Sequence, residues 1–180
     1  MRAIEINKKT AYIGIAVIGV VALGLTIYLS RDTIYKYLDY RTWARLQTLN
    51  PTFKKKVAKM IKQAAKEGME LRVISAYRDC EQQNRLYAQG RTIPGNIVTN
   101  AKCGQSSHNI KRAVDVVEFK NGVPLWKNPN WERIGELGEA QGLEWGGRWR
   151  SFVDKPHFQN LEGRSIASHF RELQTSGELA

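Results

Sequence analysis

Two cysteines in 180 residues, with no Cys-x-x-Cys step, exclude both a disulfide-built scaffold and a cysteine-rich zinc module. Histidine is scarcer than any charged residue type, with three in the chain. Acidic residues are also few, 17 against 28 Lys and Arg, which leaves a formal charge of +11. There is no internal repeat and no low-complexity tract, so solenoids, collagen-like chains and disordered arrays are set aside. At 42% hydrophobic and 25% charged residues, the composition is that of one ordinary globular domain.

What the chain does possess is one long uncharged apolar run, residues 11–29 (AYIGIAVIGVVALGLTIYL). At about 1.5 Å per residue it would extend roughly 28 Å as a helix, enough to cross a bilayer's hydrocarbon core. The run continues through Leu25, Ile27, Tyr28 and Leu29 without a small-x-small cleavage step. This favours an uncleaved signal anchor over a cleaved signal or a buried core helix. Arg2, Lys8 and Lys9 precede it, so residues 1–10 are expected in the cytoplasm and the remainder in the periplasm.

After the anchor, residues 30–49 read as a helical stalk ended by Asn50-Pro51, and residues 50–180 as the main domain. Apolar spacing predicts a helix over 52–66, with Thr52 as its cap, and a strand over 71–77. A helix over 81–89 precedes a Gly- and Asn-rich loop over 90–107, long enough to suggest a functional segment. The clearest strand is 113–119, followed by a helix over 131–141, short strands within 143–158 and a closing helix over 165–173. Helices mixed with non-alternating strands indicate an α+β fold.

Two of the three histidines stand in unusual company. His108 ends the Gly-rich loop, Asp115 follows inside the strongest strand, and His157 lies in Asp154-Lys155-Pro156-His157-Phe158. Two imidazoles and one carboxylate would form a three-ligand zinc site with a fourth position open to water, as catalytic zinc requires. Such chemistry needs a general base beside the water, and Asp154 stands three residues before His157. Taken singly, each residue also has an ordinary role as a core histidine, a strand-capping acid or a turn. His169, in the closing helix, reads as a structural or surface histidine.

The ordered words Ser106-x-His108, Ala113-x-Asp115 and Asp154-x-x-His157-Phe158 resemble the LAS-type zinc peptidases. These comprise D-alanyl-D-alanine carboxypeptidases and phage-type L-alanyl-D-glutamate endopeptidases. Ser75-Ala76-Tyr77-Arg78 with Gln82-Gln83, the stretch YAQGRTIPGNIVTNAKCGQSSHN, and Trp145-Gly146-Gly147 agree with this, and the likeness runs over residues 50–178. The resemblance implies a small antiparallel sheet flanked by helices with a zinc site in a cleft. It implies one Zn2+ held by His108, Asp115 and His157, Asp154 as general base, and Arg78 as the cation for a carboxylate or oxyanion. Ser106 and Gln83 would support the site through hydrogen bonds. Trp145 and Trp149, close to Asp154 in sequence, are expected along the substrate groove.

The implied substrate is the peptidoglycan stem peptide, cut at L-Ala–D-Glu during cell lysis or protein export, by a monomer anchored in the inner membrane. Cleavage of terminal D-Ala–D-Ala is the alternative within the class, and an inactive wall-binding membrane protein the alternative outside it. One position departs from the family, which commonly has glycine two residues before the Ala of Ala-x-Asp. Here it is Lys111, which is expected to keep a negative φ. Cys80 and Cys103 are open between a disulfide, free thiols and metal ligation. The lysines over residues 54–66 read as a solvated helix face or one attracted to an anionic surface, and no nucleic-acid recognition motif is present.

Overall fold

Asn50-Pro51 begins a helix as well as ending one. In the computed structural model, which describes residues 39–128 and 130–179, the Asn50 side chain accepts hydrogen bonds from the Thr52 and Phe53 amides at 3.0 and 3.2 Å. Pro51 takes the first helical position, where its fixed φ suits the helix and its missing N–H costs nothing. The cap is therefore Asn50, two residues earlier than Thr52. The resulting helix α2 (Pro51–Lys66) buries Phe53, Val57, Met60, Ile61 and Ala64 along one stripe.

The helix before it, α1 (Tyr40–Gln47), corrects the expected stalk boundary. It is capped by Asp39 and belongs to the domain, with Leu46 in the core and Thr42 fully buried. Its polar side chains cover the outer edge of strand β1 (Glu70–Ser75): Thr42 Oγ1 accepts from the Val73 amide at 3.0 Å, and Arg45 donates to the Val73 carbonyl at 2.9 Å. An edge strand left bare would offer these groups to another chain. The expected transmembrane segment 11–29 and cytoplasmic residues 1–10 lie outside the described residues. Among the described residues, no helix is long and apolar enough to cross a membrane.

The remaining elements are α3 (Cys80–Ala88), β2 (Ala113–Lys120), β3 (Val123–Pro124), α4 (Trp131–Glu139), β4 (Glu144–Trp145), β5 (His157–Gln159) and α5 (Ile166–Ser176). The sheet is antiparallel throughout, in the order β1-β2-β5-β4, with β3 folded back on the end of β2. Helices α1, α2 and α4 cover one face, and Val73, Val114, Val116 and Phe158 point into the core between them. Gly135 and Gly138 let α4 lie directly on the stacked rings of Trp145 and Phe158, since a Cβ at either position would come within 2.2–2.3 Å of a ring carbon. The fold is thus α+β, and the opposite face of the sheet carries the polar residues considered next.

Candidate metal centre

Register places the site. Ser75, Asp115 and His157 are paired across β1, β2 and β5, so they form one row on the open face, and Gln159 sits beside Ala113 on that face. A β-bulge between Val73 and Ser75 shifts β1 by one residue, which brings Ser75 opposite Asp115. His108 reaches the row from the long loop, whose backbone is turned by bonds from the Asn109 amide to Ser106 and from the Arg112 amide to Ser107.

Three donor atoms converge. His108 Nε2 is 3.3 Å and His157 Nδ1 3.1 Å from Asp115 Oδ1, and the two nitrogens are 3.4 Å apart. A tetrahedral ion with bonds of about 2.0–2.1 Å requires ligand atoms roughly 3.3 Å apart, so the triangle fits such an ion without rearrangement. The outer nitrogens are engaged in a way that frees the inner ones. His108 Nδ1–H donates to the Ala76 carbonyl at 2.6 Å. His157 Nε2–H donates to Gln159 Oε1 at 3.2 Å, with Ser107 Oγ at 3.4 Å. Each bond selects the tautomer that presents a lone pair to the centre.

The surrounding groups form two networks. Gln159 Nε2 donates to Glu144 at 2.9 Å, and the other oxygen of Glu144 accepts from the Trp149 indole N–H at 2.6 Å. The Trp149 ring therefore lies fixed beside His157, centroid to centroid 5.1 Å. On the other side Arg78 donates to Asp115 Oδ2 at 2.8 Å, to Ser75 Oγ at 3.1 Å and to Gln83 Oε1 at 3.3 Å. Gln83 is fully buried, and its amide nitrogen is anchored on the Ala101 carbonyl at 2.7 Å. Three of the five N–H donors of Arg78 are thus committed to the protein, and two are left for a ligand.

Electrostatics prepare the ligand set. Burial pushes His108 down, although Asp115 opposes the shift. Burial alone would raise Asp115, but the charges and hydrogen bonds of His108 and His157 outweigh it and hold the carboxyl well below its usual range. Burial also lowers His157, yet Asp115 and Asp154 together leave it raised, so a proton and a cation compete for Nδ1. Asp154 is raised, first by burial and then by the neighbouring charge of Asp115. Its backbone is set by its amide bonding the Gly146 carbonyl at 3.0 Å and by the His157 amide bonding back at 3.1 Å. A Cβ at Gly146 would come within 2.5 Å of the Asp154 carbonyl oxygen. This turn brings Asp154 and His157 to the same cleft, a volume of about 630 Å³ that also includes Arg78, Ser106, Ser107 and Gln159.

The six residues His108, Asp115, His157, Asp154, Arg78 and Ser106 come together at this cleft, with Gln83 directly behind Arg78. Ser106 supports the site through its Oγ, which accepts from the His108 amide at 3.3 Å. Trp145 does not line the groove. It is 2% exposed, pairs with Phe158 on the core side of the sheet, and donates its indole N–H to the Lys155 carbonyl at 2.7 Å. The odd-even alternation of β4 gives the open face to Glu144, and Trp149 lies at the cleft instead. Lys111 has φ +60°, so the chain adopts the left-handed conformation natural to glycine despite the side chain. Cys80 and Cys103 form a disulfide that joins α3 to the loop carrying His108. His169 is buried against the Leu161 carbonyl, away from the centre. Gln159 and Ser107 escaped sequence reasoning. Gln159, two residues from His157 on a strand, shares its face by simple alternation and was open to discovery.

Comparison with known proteins finds a matching family and several relatives. The profile of the VanY family, D-alanyl-D-alanine carboxypeptidase, matches residues 46–143, a span that holds Arg78, His108 and Asp115. A peptidoglycan L-alanyl-D-glutamate endopeptidase of Bacillus subtilis strain 168, CwlK, is 36% identical over 123 residues, covering 63% of this chain and 74% of that protein. An L-alanyl-D-glutamate peptidase of Listeria phage A118 is 25% identical over 144 residues, 78% of this chain and 48% of the phage protein, so the chain spans about half of its length. Among solved structures, the Serratia marcescens L-Ala D-Glu endopeptidase ChiX shares the fold, with a TM-score of 0.53 and 23% identity over 67% of this chain and 86% of that one.

Proposed function

The chain belongs to the VanY family of D-alanyl-D-alanine carboxypeptidases, and from that membership we propose that it is a zinc-dependent peptidoglycan hydrolase cutting the stem peptide between L-Ala and D-Glu. The observation that carries the reading is the convergence of His108 Nε2, Asp115 Oδ1 and His157 Nδ1 within one open cleft beside a raised carboxylate. The L-Ala–D-Glu bond is favoured by the named activity of the 36% identical relative.

Zinc bound to these three atoms supplies a Lewis acid that polarises a carbonyl and acidifies a water. The protein's own groups do the rest. Asp154 takes the proton of the attacking water and returns it to the departing amine, a role suited to a carboxylate whose affinity for protons is raised. Arg78 holds Asp115 in place through one N–H and turns its two free donors toward the carboxylate of D-Glu or the developing oxyanion. The hydrogen bonds of Ala76 and Gln159 keep both imidazoles from rotating as charge builds.

The apolar run 11–29 supports a single-pass inner-membrane anchor with the domain in the periplasm, where a role in lysis or in opening the wall for export would be exercised. The test of the activity is incubation of the protein with disaccharide-tetrapeptide and disaccharide-pentapeptide, with and without a chelator, and mass spectrometry of the products. Disaccharide-L-Ala that disappears on chelation is the expected result. Release of D-Ala alone would assign the chain to the carboxypeptidase activity for which the family is named, and no product from a metal-loaded protein would leave it a wall-binding protein.

A further inference from the structure

The mouth of the cleft is aromatic. Trp126 and Phe152 line it while 58% and 59% exposed, Val98 adjoins them at 49%, and Trp149 continues the surface inward to His157. Large apolar side chains left in water and grouped at one site mark a surface that is covered in use. These four residues come from three separate segments, so the grouping is a product of the fold and not of one sticky loop.

We infer that this rim is a subsite for the glycan, in which the ring of the N-acetylmuramic acid that bears the stem peptide lies against Trp126 and Phe152. The inference rests on the L-Ala–D-Glu reading. In peptidoglycan that L-Ala is joined directly to the lactyl group of the sugar. One residue spans about 3.8 Å, so the sugar ring lies within roughly 10 Å of the carbonyl being cut. The sugar is therefore close enough to reach the exposed members of the same cleft lining, Trp126 and Phe152.

The chemistry of the two directions out of the cleft also differs. Beyond the bond, D-Glu carries a free carboxylate. Toward the sugar there is no charge, because the lactyl carboxyl is consumed in the amide. What remains is a ring with apolar C–H faces and an acetyl methyl, and an uncharged aromatic surface matches that ligand. Trp149 is held by Glu144 with its ring beside His157, and Trp126 and Phe152 are the solvent-exposed aromatic members of the same cleft lining.

The test uses the full-length protein and two substrates, disaccharide-tetrapeptide and the same tetrapeptide without sugar. Trp126→Ala and Phe152→Ala, both at exposed positions that leave the core intact, should each raise KM for the glycan-linked substrate about fivefold. Their kcat should be unchanged, and kcat/KM for the free tetrapeptide should stay within about twofold of the parent. Calorimetric titration of the metal-free protein with disaccharide-L-Ala provides a second readout, in which the double variant should bind about tenfold more weakly. Equal losses on both substrates, or no loss on either, overturn the proposal, as does unchanged binding of disaccharide-L-Ala. If the parent cuts neither substrate, the activity reading has failed and the titration still decides the glycan subsite. If the parent cuts both equally well, the activity reading stands and the subsite does not.

Discussion

Replacing Lys111 tests the least expected backbone feature of the site. At φ +60° its Cβ crowds the following carbonyl oxygen, a conformation that costs an L-residue about 1–2 kcal/mol and glycine almost nothing. The conformation is imposed from both sides, since the Lys111 amide bonds the His108 carbonyl at 3.3 Å and its own carbonyl accepts from the Asn50 amide at 3.0 Å. Lys111 Nζ partly compensates by donating to the Glu178 carbonyl at 2.8 Å and lying 5.4 Å from the Tyr77 ring centroid. Lys111→Ala removes those contacts and keeps the strain, while Lys111→Gly removes both. Glycine also gains freedom in the unfolded chain, which takes back about 0.4–1 kcal/mol. Lys111→Gly should therefore exceed Lys111→Ala in stability by about 1 kcal/mol, or roughly 3 °C in Tm for a domain of this size. Denaturant unfolding of the two metal-free variants measures the difference at constant m. Equal stability, or a more stable Ala variant, would show that residue 111 is not left-handed in solution and that the turn behind His108 is built differently.

Asp154→Asn should retain one metal ion per chain by elemental analysis and lose about 10²–10⁴ in kcat. Because Asp154 must be ionised to accept a proton and its pKa is raised, activity should fall as pH drops through a value higher than that of an ordinary aspartate, and this acid limb should be absent from the residual rate of the Asn variant. Gln159→Ala frees the outer nitrogen of His157 and should weaken metal binding about 10–100-fold in a chelator competition, without unfolding the domain. Replacing Cys80 and Cys103 by serine opens a loop with a sequence separation of 23 and should cost about 3 kcal/mol in denaturant unfolding; a loss below about 1 kcal/mol would mean that the loop is held by its other bonds alone.

The ligands were legible because their residue types are rare and their order is distinctive, and the strands bearing Asp115 and His157 follow from β-rich apolar runs. The loop's path was not. His108 is positioned by bonds to Ala76, Ser106 and Arg78, which depend on a bulge in β1 and a disulfide that no local pattern announces. Trp145 illustrates a second limit. Proximity in sequence to Asp154 suggested the cleft, but residues on opposite faces of a strand are separated by the sheet however near they are along the chain. Helix α1 reads as part of a stalk because Ile34, Tyr37, Leu38 and Leu46 suggest one helical side continuing from the apolar run. Its place in the domain is secured by Thr42 and Arg45, polar side chains that match an unpaired strand edge.

The row Ser75–Asp115–His157 determines when a metal ion can arrive. No two of the three ligands lie within one turn of chain, and the closest pair, His108 and Asp115, are separated by the junction between loop and strand. An extended polypeptide therefore presents isolated donors and no chelating segment. Pairing of β2 with β5 creates the first bidentate site, and closure of the loop onto Ala76 completes it. Loading is coupled to folding, so a chain threaded through a membrane would cross it without a preformed site and draw its metal from the compartment in which it folds.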